Sequence, residues 1–319
     1  MSESVVVGVD GSPESLAALD WAADEAVRRG APLRMVHAWP SQVTPLSVLA
    51  AVDLARQQAV AVLRDAELRA REGRPGLAVS AVQVPHDAVR SLLDEAEAAP
   101  AELLVLGSRG LGVVTGFLVG SVSHRVLARA ACPVVLVRRG ERSDAERAAA
   151  EREVVVGVDP YDGAEEVLGH AFEVAGRRGL PVRAVYAWTL PPSYQYAGIA
   201  AGVDVSREMS AYAENELARV LEPWRAKHPG VTVVEEAVNA RPARVLAERA
   251  ADAELLVVGR RVRRSPLGAH VGAVAHAVLH HAPCPVAVVP YERSKEHGQE
   301  QEQQPEQGQQ EQDGEDRAW

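Results

Sequence analysis

Val5-Val6-Val7-Gly8-Val9-Asp10 recurs as Val154-Val155-Val156-Gly157-Val158-Asp159. Each copy is an uninterrupted apolar run closed by an acid, the pattern of a strand buried on both faces with a turn after it. Further landmarks repeat in the same order. His37-Ala38-Trp39 returns as Tyr186-Ala187-Trp188, Leu103 to Gly107 as Leu255 to Gly259, and Cys132-Pro133-Val134 as Cys284-Pro285-Val286. The first two landmarks are offset by 149 residues and the last two by 152, so the copies differ by short loop insertions. That period is too long for a solenoid and suits two tandem domains of ordinary size.

Outward from Val5, Ser12-Pro13-Glu14-Ser15 opens a helical pattern with Leu16, Leu19, Ala22, Ala23 and Ala26 on one face. Leu33 to Trp39 reads as the second strand, and an Ala/Leu-rich helix spans about Ser47 to Arg71. A strand over Leu77 to Val84, a helix over Asp87 to Ala98 and a strand over Leu103 to Leu106 follow. After a Gly-rich loop come a helix over about Gly120 to Ala130 and a last strand over Val134 to Val137. Strands alternating with helices imply crossover connections and a parallel sheet, hence the α/β class. The chain divides into domain 1 (1–140), a charged linker (141–152), domain 2 (153–290) and a tail (291–319). The tail is Gln/Glu-rich and expected to be disordered, because it has too little apolar surface to offset its ordering entropy.

Composition excludes several classes. The 319 residues are 47% hydrophobic and only 4% aromatic, so the cores are small and β-branched. A net charge of −10 argues against a nucleic-acid partner, which needs a basic footprint. Two cysteines make no disulfide framework. The opening residues have no basic region and their apolar run breaks at Asp10, so they do not read as a signal peptide. No stretch of 18 or more apolar residues marks a membrane span. A cytoplasmic location is expected.

In an open parallel sheet, ligands bind beyond the carboxyl ends of strands where the strand order reverses. The residues expected there are Gly8, Asp10, Ala38, the run Gly107-Ser108-Arg109-Gly110, and Gly120-Ser121-Val122. Gly107 and Gly110 would permit positive φ and a close approach of backbone to ligand. Gly120 and Ser121 would offer amide donors and a hydroxyl at a helix start, with Arg109 adding a charge-assisted contact. The glycines alone also fit an ordinary strand–loop–helix connection. Asp10 also fits a cap on the turn after the first strand.

Gly107-x2-Gly110-x9-Gly120-Ser121 resembles the nucleotide signature of the universal stress protein family. The opening run, the His-Ala-Trp strand end and the Cys-Pro-Val-Val-Leu-Val final strand agree with it, and the resemblance covers both copies, about Val5–Arg138 and Val154–Val289. The resemblance implies two tandem doubly wound, Rossmann-like domains, each with a five-stranded parallel sheet, and ATP, with Mg²⁺, across the switch point. It puts Asp10 near the ribose over Gly8, the Ala38 backbone at adenine, and Gly107 to Gly110 around ribose and phosphates. Gly120, Ser121 and Val122 would hold the phosphate tail. The same resemblance implies that the two copies pair as a pseudo-dimer within the chain, with a second chain alongside as a homodimer. The apolar final strands, Val134–Val137 and Val286–Val289, are candidate edges that invite such pairing, although Val-rich strands also suit a plain sheet core.

Copy two departs from the signature. Gly157, Asp159, Ala187, Gly259 and Gly272 remain, but Val262 replaces the second glycine and Ala273 the serine. Arg260, Arg261, Arg263 and Arg264 make its loop basic, either to attract phosphate or to face solvent or the other domain. A weak or lost second site is expected, since point charges do not replace a preformed amide cradle. His276, His280 and Cys284 approach a metal-ligand spacing, but Pro283 breaks the helical register, so they read as structural.

The leading reading is an ATP-binding, nucleotide-responsive regulatory module in stress response, with its main site in domain 1. No carboxylate or base accompanies the loop to position an attacking water, so at most slow hydrolysis is expected. One rival is an ATP-using transferase on a related fold. Against it, the Walker pattern is absent and the only lysines, Lys227 and Lys295, lie away from the loop. The other is a nucleotide-free scaffold for an unidentified protein partner. Nucleotide retention separates the scaffold from the leading reading, and substrate-dependent turnover would identify the enzyme.

Overall fold

The structure is a computed structural model that describes residues 4–39, 49–84, 87–98, 101–110, 117–138, 152–190, 205–262 and 270–292. The linker expectation, apart from Arg152, and the tail expectation from residue 293 onward fall outside these residues.

The first half runs β1 (Ser4–Gly8), α1 (Pro13–Arg29), β2 (Leu33–Ala38), α2 (Leu49–Arg71), β3 (Val79–Val84), α3 (Ala88–Ala98), β4 (Ala101–Gly110), β5 (Phe117–Leu118), α4 (Ser121–Leu127) and β6 (Val134–Arg138). The second runs β7 (Glu153–Gly157), α5 (Ala164–Arg178), β8 (Val182–Trp188), α6 (Val205–Lys227), β9 (Val233–Asn239), α7 (Pro242–Arg249), β10 (Ala253–Arg261), α8 (Ala273–His281) and β11 (Val286–Tyr291). The last strand thus takes in Tyr291, one residue past the expected domain end.

Val5, Val6 and Val7 have no exposed surface, as a strand covered by helices on both faces requires. Ser12 caps α1 by accepting from the Ser15 amide at 3.2 Å, with Pro13 in the first turn. The strand order is β3-β2-β1-β4-β6-β11-β10-β7-β8-β9, and all pairs along it are parallel except β6–β11. Two five-stranded parallel sheets therefore meet through an antiparallel seam, where Val134, Val135 and Leu136 face Val288, Ala287 and Val286. One core lies under α1, α2, α5 and α6, the other under α3, α4, α7 and α8, and each continues across the seam. In each half the order reverses at one place, between β1 and β4 and between β7 and β10.

The seam is reinforced by charge. At the N-terminal edge of the sheet, Glu25 of α1 accepts from Arg29 at 2.7 Å and from Arg178 of α5 at 2.6 Å. Arg178 also reaches Glu254 at 3.0 Å and lies 5.2 Å over the Trp21 ring. Glu102 takes Arg29 and, at 3.2 Å, Arg177. Glu25, Arg29 and Arg178 have side chains no more than 3% exposed. His170 of α5 is buried beside this cluster and its Nε2 has no hydrogen-bond partner among the described residues.

Burial, reinforced by the Arg29 charge, pushes the His170 pKa down to about 3. The unfolded chain takes up this proton near pH 6.5 and the folded one does not, so stability falls as pH drops between those values. Going from pH 7 to pH 4, this linkage is expected to cost about 3 kcal/mol. Thermal denaturation of His170→Leu across that range is expected to show a flatter pH profile, with the gain over wild type growing toward acid.

Candidate functional site

The carboxyl ends of β1 and β4 meet the start of α1 at the first switch point. Asp10 caps the turn: its Oδ1 accepts from the Ser12 amide at 2.9 Å and the Ser12 hydroxyl at 2.5 Å. Its own amide donates to Ser15 Oγ at 3.3 Å, and Ser15 Oγ donates to the Ser12 carbonyl at 2.9 Å. Ala38 ends β2 opposite Val84, and Trp39 continues the ladder with its amide 3.1 Å from the Val84 carbonyl. His37 is buried with Nδ1 2.7 Å from the Val9 carbonyl.

The expected loop from Gly107 is not a loop. β4 runs on to Gly110, and Arg109 and Gly110 pair antiparallel with Leu118 and Phe117 of β5. Gly107 is not in a positive-φ conformation. It is needed for closeness: a Cβ there would lie 2.6 Å from the Glu14 carbonyl oxygen and 2.9 Å from the Ser15 nitrogen. The start of α1 is thus laid directly on the strand, which no longer side chain at this position would allow. A Cβ on Gly8 would similarly meet Leu106 at 2.8 Å. Ser108 turns its hydroxyl inward to the Val137 carbonyl at 3.3 Å, so only its backbone faces the strand end. The Arg109 side chain and residues 111–116 lie outside the described residues.

α4 brings Gly120, Ser121 and Val122 to the same corner. Ser123 Oγ donates to the Gly107 carbonyl at 3.1 Å and ties the first turn of α4 to β4. Gly120 has φ −59°, which any residue adopts, and among the described residues a Cβ there would meet only Ser123 Oγ, at 3.9 Å. No described residue calls for a glycine at this place. Ser15 and Ser123 were not among the expected site residues. Their signal was the serine three residues into each helix start, where a hydroxyl can reach back to backbone.

The second switch point is built differently. Asp159 caps its turn by accepting from the Tyr161 amide at 3.1 Å, and burial raises its pKa, with Asp162 adding to the effect. Tyr161 stands where copy one has Ser12, and its hydroxyl is 3.1 Å from that of Tyr212 on α6. A Cβ on Gly259 would lie 2.8 Å from the Tyr291 ring, so that ring packs on the glycine. The Tyr291 hydroxyl donates to Asp162 at 3.2 Å. Gly157 sits under Leu246, and Ala187 pairs with Val238 within the sheet. Val262 needs no positive φ, because its amide continues the strand ladder to the Tyr291 carbonyl at 2.8 Å. Gly272 has φ +89°, unlike Gly120.

Arg260 is not a phosphate ligand waiting in a loop. It is buried and crosses to the first half, donating from Nη1 to the Ala128 carbonyl at 3.1 Å and from Nη2 to that of Ala130. Arg138 crosses in the opposite sense to the Leu279 carbonyl. Arg263 and Arg264 lie outside the described residues. Cys284 is buried in the core, while the His276 ring lies tilted against that of His280, 4.6 Å away, and meets His124 edge-on at 6.0 Å. Among the described residues no group of His, Cys, Asp and Glu is arranged to hold a metal ion, and no helix is long and apolar enough to cross a membrane.

The sequence model of the universal stress protein family matches residues 1–138 and again residues 151–290. Two universal stress proteins of Mycobacterium tuberculosis are each 35% identical to the chain. One aligns over 293 residues, 89% of this chain and 96% of the relative, and the other over 298 residues, 90% and 96%. A solved universal stress protein from Archaeoglobus fulgidus superposes over 91% of this chain and 99% of its own with a TM-score of 0.66, at 20% identity, a likeness of fold.

Proposed function

Because the chain belongs to the universal stress protein family, we propose that it is a cytoplasmic, nucleotide-responsive regulatory module that binds ATP in its first domain. The observation that carries this reading is the convergence of the Gly107-x2-Gly110-x9-Gly120-Ser121 spacing on one corner, where no described residue crowds Gly120. In this reading the Ala38 backbone meets the base and Asp10, already fixed by Ser12, lies near the ribose. The amides at Gly120, Ser121 and Val122 take the phosphates. The corner fits such a group: it has backbone donors, no carboxylate among those phosphate-holding residues, and a glycine whose missing side chain leaves room. Mg²⁺ would arrive on the triphosphate itself. The second domain keeps Asp159, Gly259 and Gly272, but Tyr161 and Tyr291 take up its corner, which supports assigning it no nucleotide.

Gly120→Val isolates the claim, because no described residue crowds a Cβ there. Calorimetric titration of refolded, nucleotide-stripped protein with MgATP is expected to give one ATP per chain. In Gly120→Val the affinity is expected to fall at least a hundredfold at unchanged melting temperature. Two ATP per chain, or binding that survives in the variant, would put nucleotide in domain 2. No heat in the wild type would move the weight to a nucleotide-free scaffold.

A further inference from the structure

Arg260 follows Gly259 directly, at the place that Ser108 takes after Gly107 in the first copy. In copy one that residue is a small hydroxyl turned into the sheet; in copy two it is a guanidinium, 4% exposed, reaching across the seam. What it grips is the end of α4. Ala128, the residue that closes this helix, and Ala130 just beyond it are both buried, and their carbonyls accept from the two arms of the fork. No carboxylate pairs with Arg260 among the described residues, so those carbonyls carry its solvation, and the loss of the fork would orphan them in turn.

α4 is seven residues, about 10 Å long. The Ser123 hydroxyl on the Gly107 carbonyl fixes its first turn, and Arg260 fixes the end. On a body this short, a displacement at the carbonyl end is carried through to Gly120, Ser121 and Val122. We propose that Arg260 is a positioning residue for the first domain's nucleotide site: a side chain of domain 2 sets where the phosphate-facing residues of domain 1 stand, and ATP affinity in one copy depends on the other. This rests on the nucleotide reading above. It also gives a role to the exchange of Ser108 for Arg260 between the copies.

The reciprocal arginine supplies the control. Arg138 makes the same kind of bond across the same seam, but onto Leu279 of α8 in domain 2. Full-length wild type, Arg260→Met, Arg260→Lys and Arg138→Met are titrated with MgATP, and amide exchange is followed over residues 121–130. Arg260→Met is expected to weaken ATP roughly tenfold and to speed exchange in α4. Arg260→Lys recovers part of the affinity, since one ammonium can reach one carbonyl. Arg138→Met leaves affinity within about twofold. Equal affinity in Arg260→Met and wild type overturns the proposal, and so does an equal loss in Arg138→Met, which would reduce the effect to general loosening of the seam. Should Arg260→Met fail to fold, the comparison of Arg260→Lys with wild type and Arg138→Met decides. A wild type that takes no ATP defeats the nucleotide reading itself, an outcome distinct from a wild type that binds and an Arg260→Met that binds as well.

Discussion

Gly107→Ala is expected to lower stability by about 3 kcal/mol or more, while the same change at Gly259 costs about 1 kcal/mol. The two glycines occupy equivalent places in the two copies, yet a new Cβ meets different neighbours. At Gly107 the nearest atoms are the Glu14 carbonyl oxygen at 2.6 Å and carbon at 2.7 Å, backbone locked in the first turn of α1. Relief there requires moving the helix start off β4, which breaks the Ser12 and Ser15 caps and shifts Asp10 with them. At Gly259 the nearest atoms belong to the Tyr291 ring and to the end of Val167, side chains that can rotate or slide. Urea unfolding followed by circular dichroism, read as the shift in midpoint, checks the contrast. Equal losses at the two positions would mean that the helix start yields as easily as a tyrosine ring.

Glu25→Gln is the second large effect, with an expected loss of about 3–5 kcal/mol. Although burial pushes the Glu25 pKa up, the Arg178 and Arg29 charges outweigh it and hold the carboxyl below the usual carboxylate range. Removing that charge leaves two buried guanidinium groups from opposite domains facing one another. The sign of the pH dependence follows. A carboxyl with a depressed folded pKa contributes fully above its unfolded value near 4.5 and loses that contribution as pH falls through the folded value. The gap between wild type and Glu25→Gln is therefore expected to be full at neutral pH and to narrow as pH falls below 4.5 and through the folded value. A Glu25→Gln/Arg178→Gln double variant is expected to lose less than the sum of the single changes, because the second removes a charge that the first stranded. Thermal denaturation of the three variants at pH 7 and pH 3.5 gives both results.

Much of the fold was legible because the strongest signals were local. The Val5 to Val7 run is covered on both faces, and Ser12-Pro13 does open α1. The end of β4 was not legible. Glycines at 107 and 110 read as loop because nothing in their neighbourhood reveals that α1 lies against one of them, and that contact is what calls for a glycine in extended backbone. Glu25 interrupts the apolar face of α1 and would be placed in solvent by pattern alone; Arg28 and Arg29 beside it are local, but Arg178, which completes its pairing, comes from sequence far away. For Arg260 the sequence left three roles open, on phosphate, toward solvent or toward the other domain, and only the seam shows which carbonyls it meets. At the candidate site, spacing singled out the glycines; the Ser15 hydroxyl bonds within its own turn, while the partner of Ser123, the Gly107 carbonyl, is set by how α4 packs on β4.

The antiparallel seam between β6 and β11 has one more consequence. Two separate copies joined this way would part on dilution, and each site would then depend on how much protein is present. Here the partner arrives on the same polypeptide, so its local concentration is set by chain length and not by expression level. Freed from having to work in both roles at once, the second copy could exchange a hydroxyl for a guanidinium and a glycine for a valine without losing its place. The tandem chain is in that sense a dimer whose halves were allowed to stop being identical.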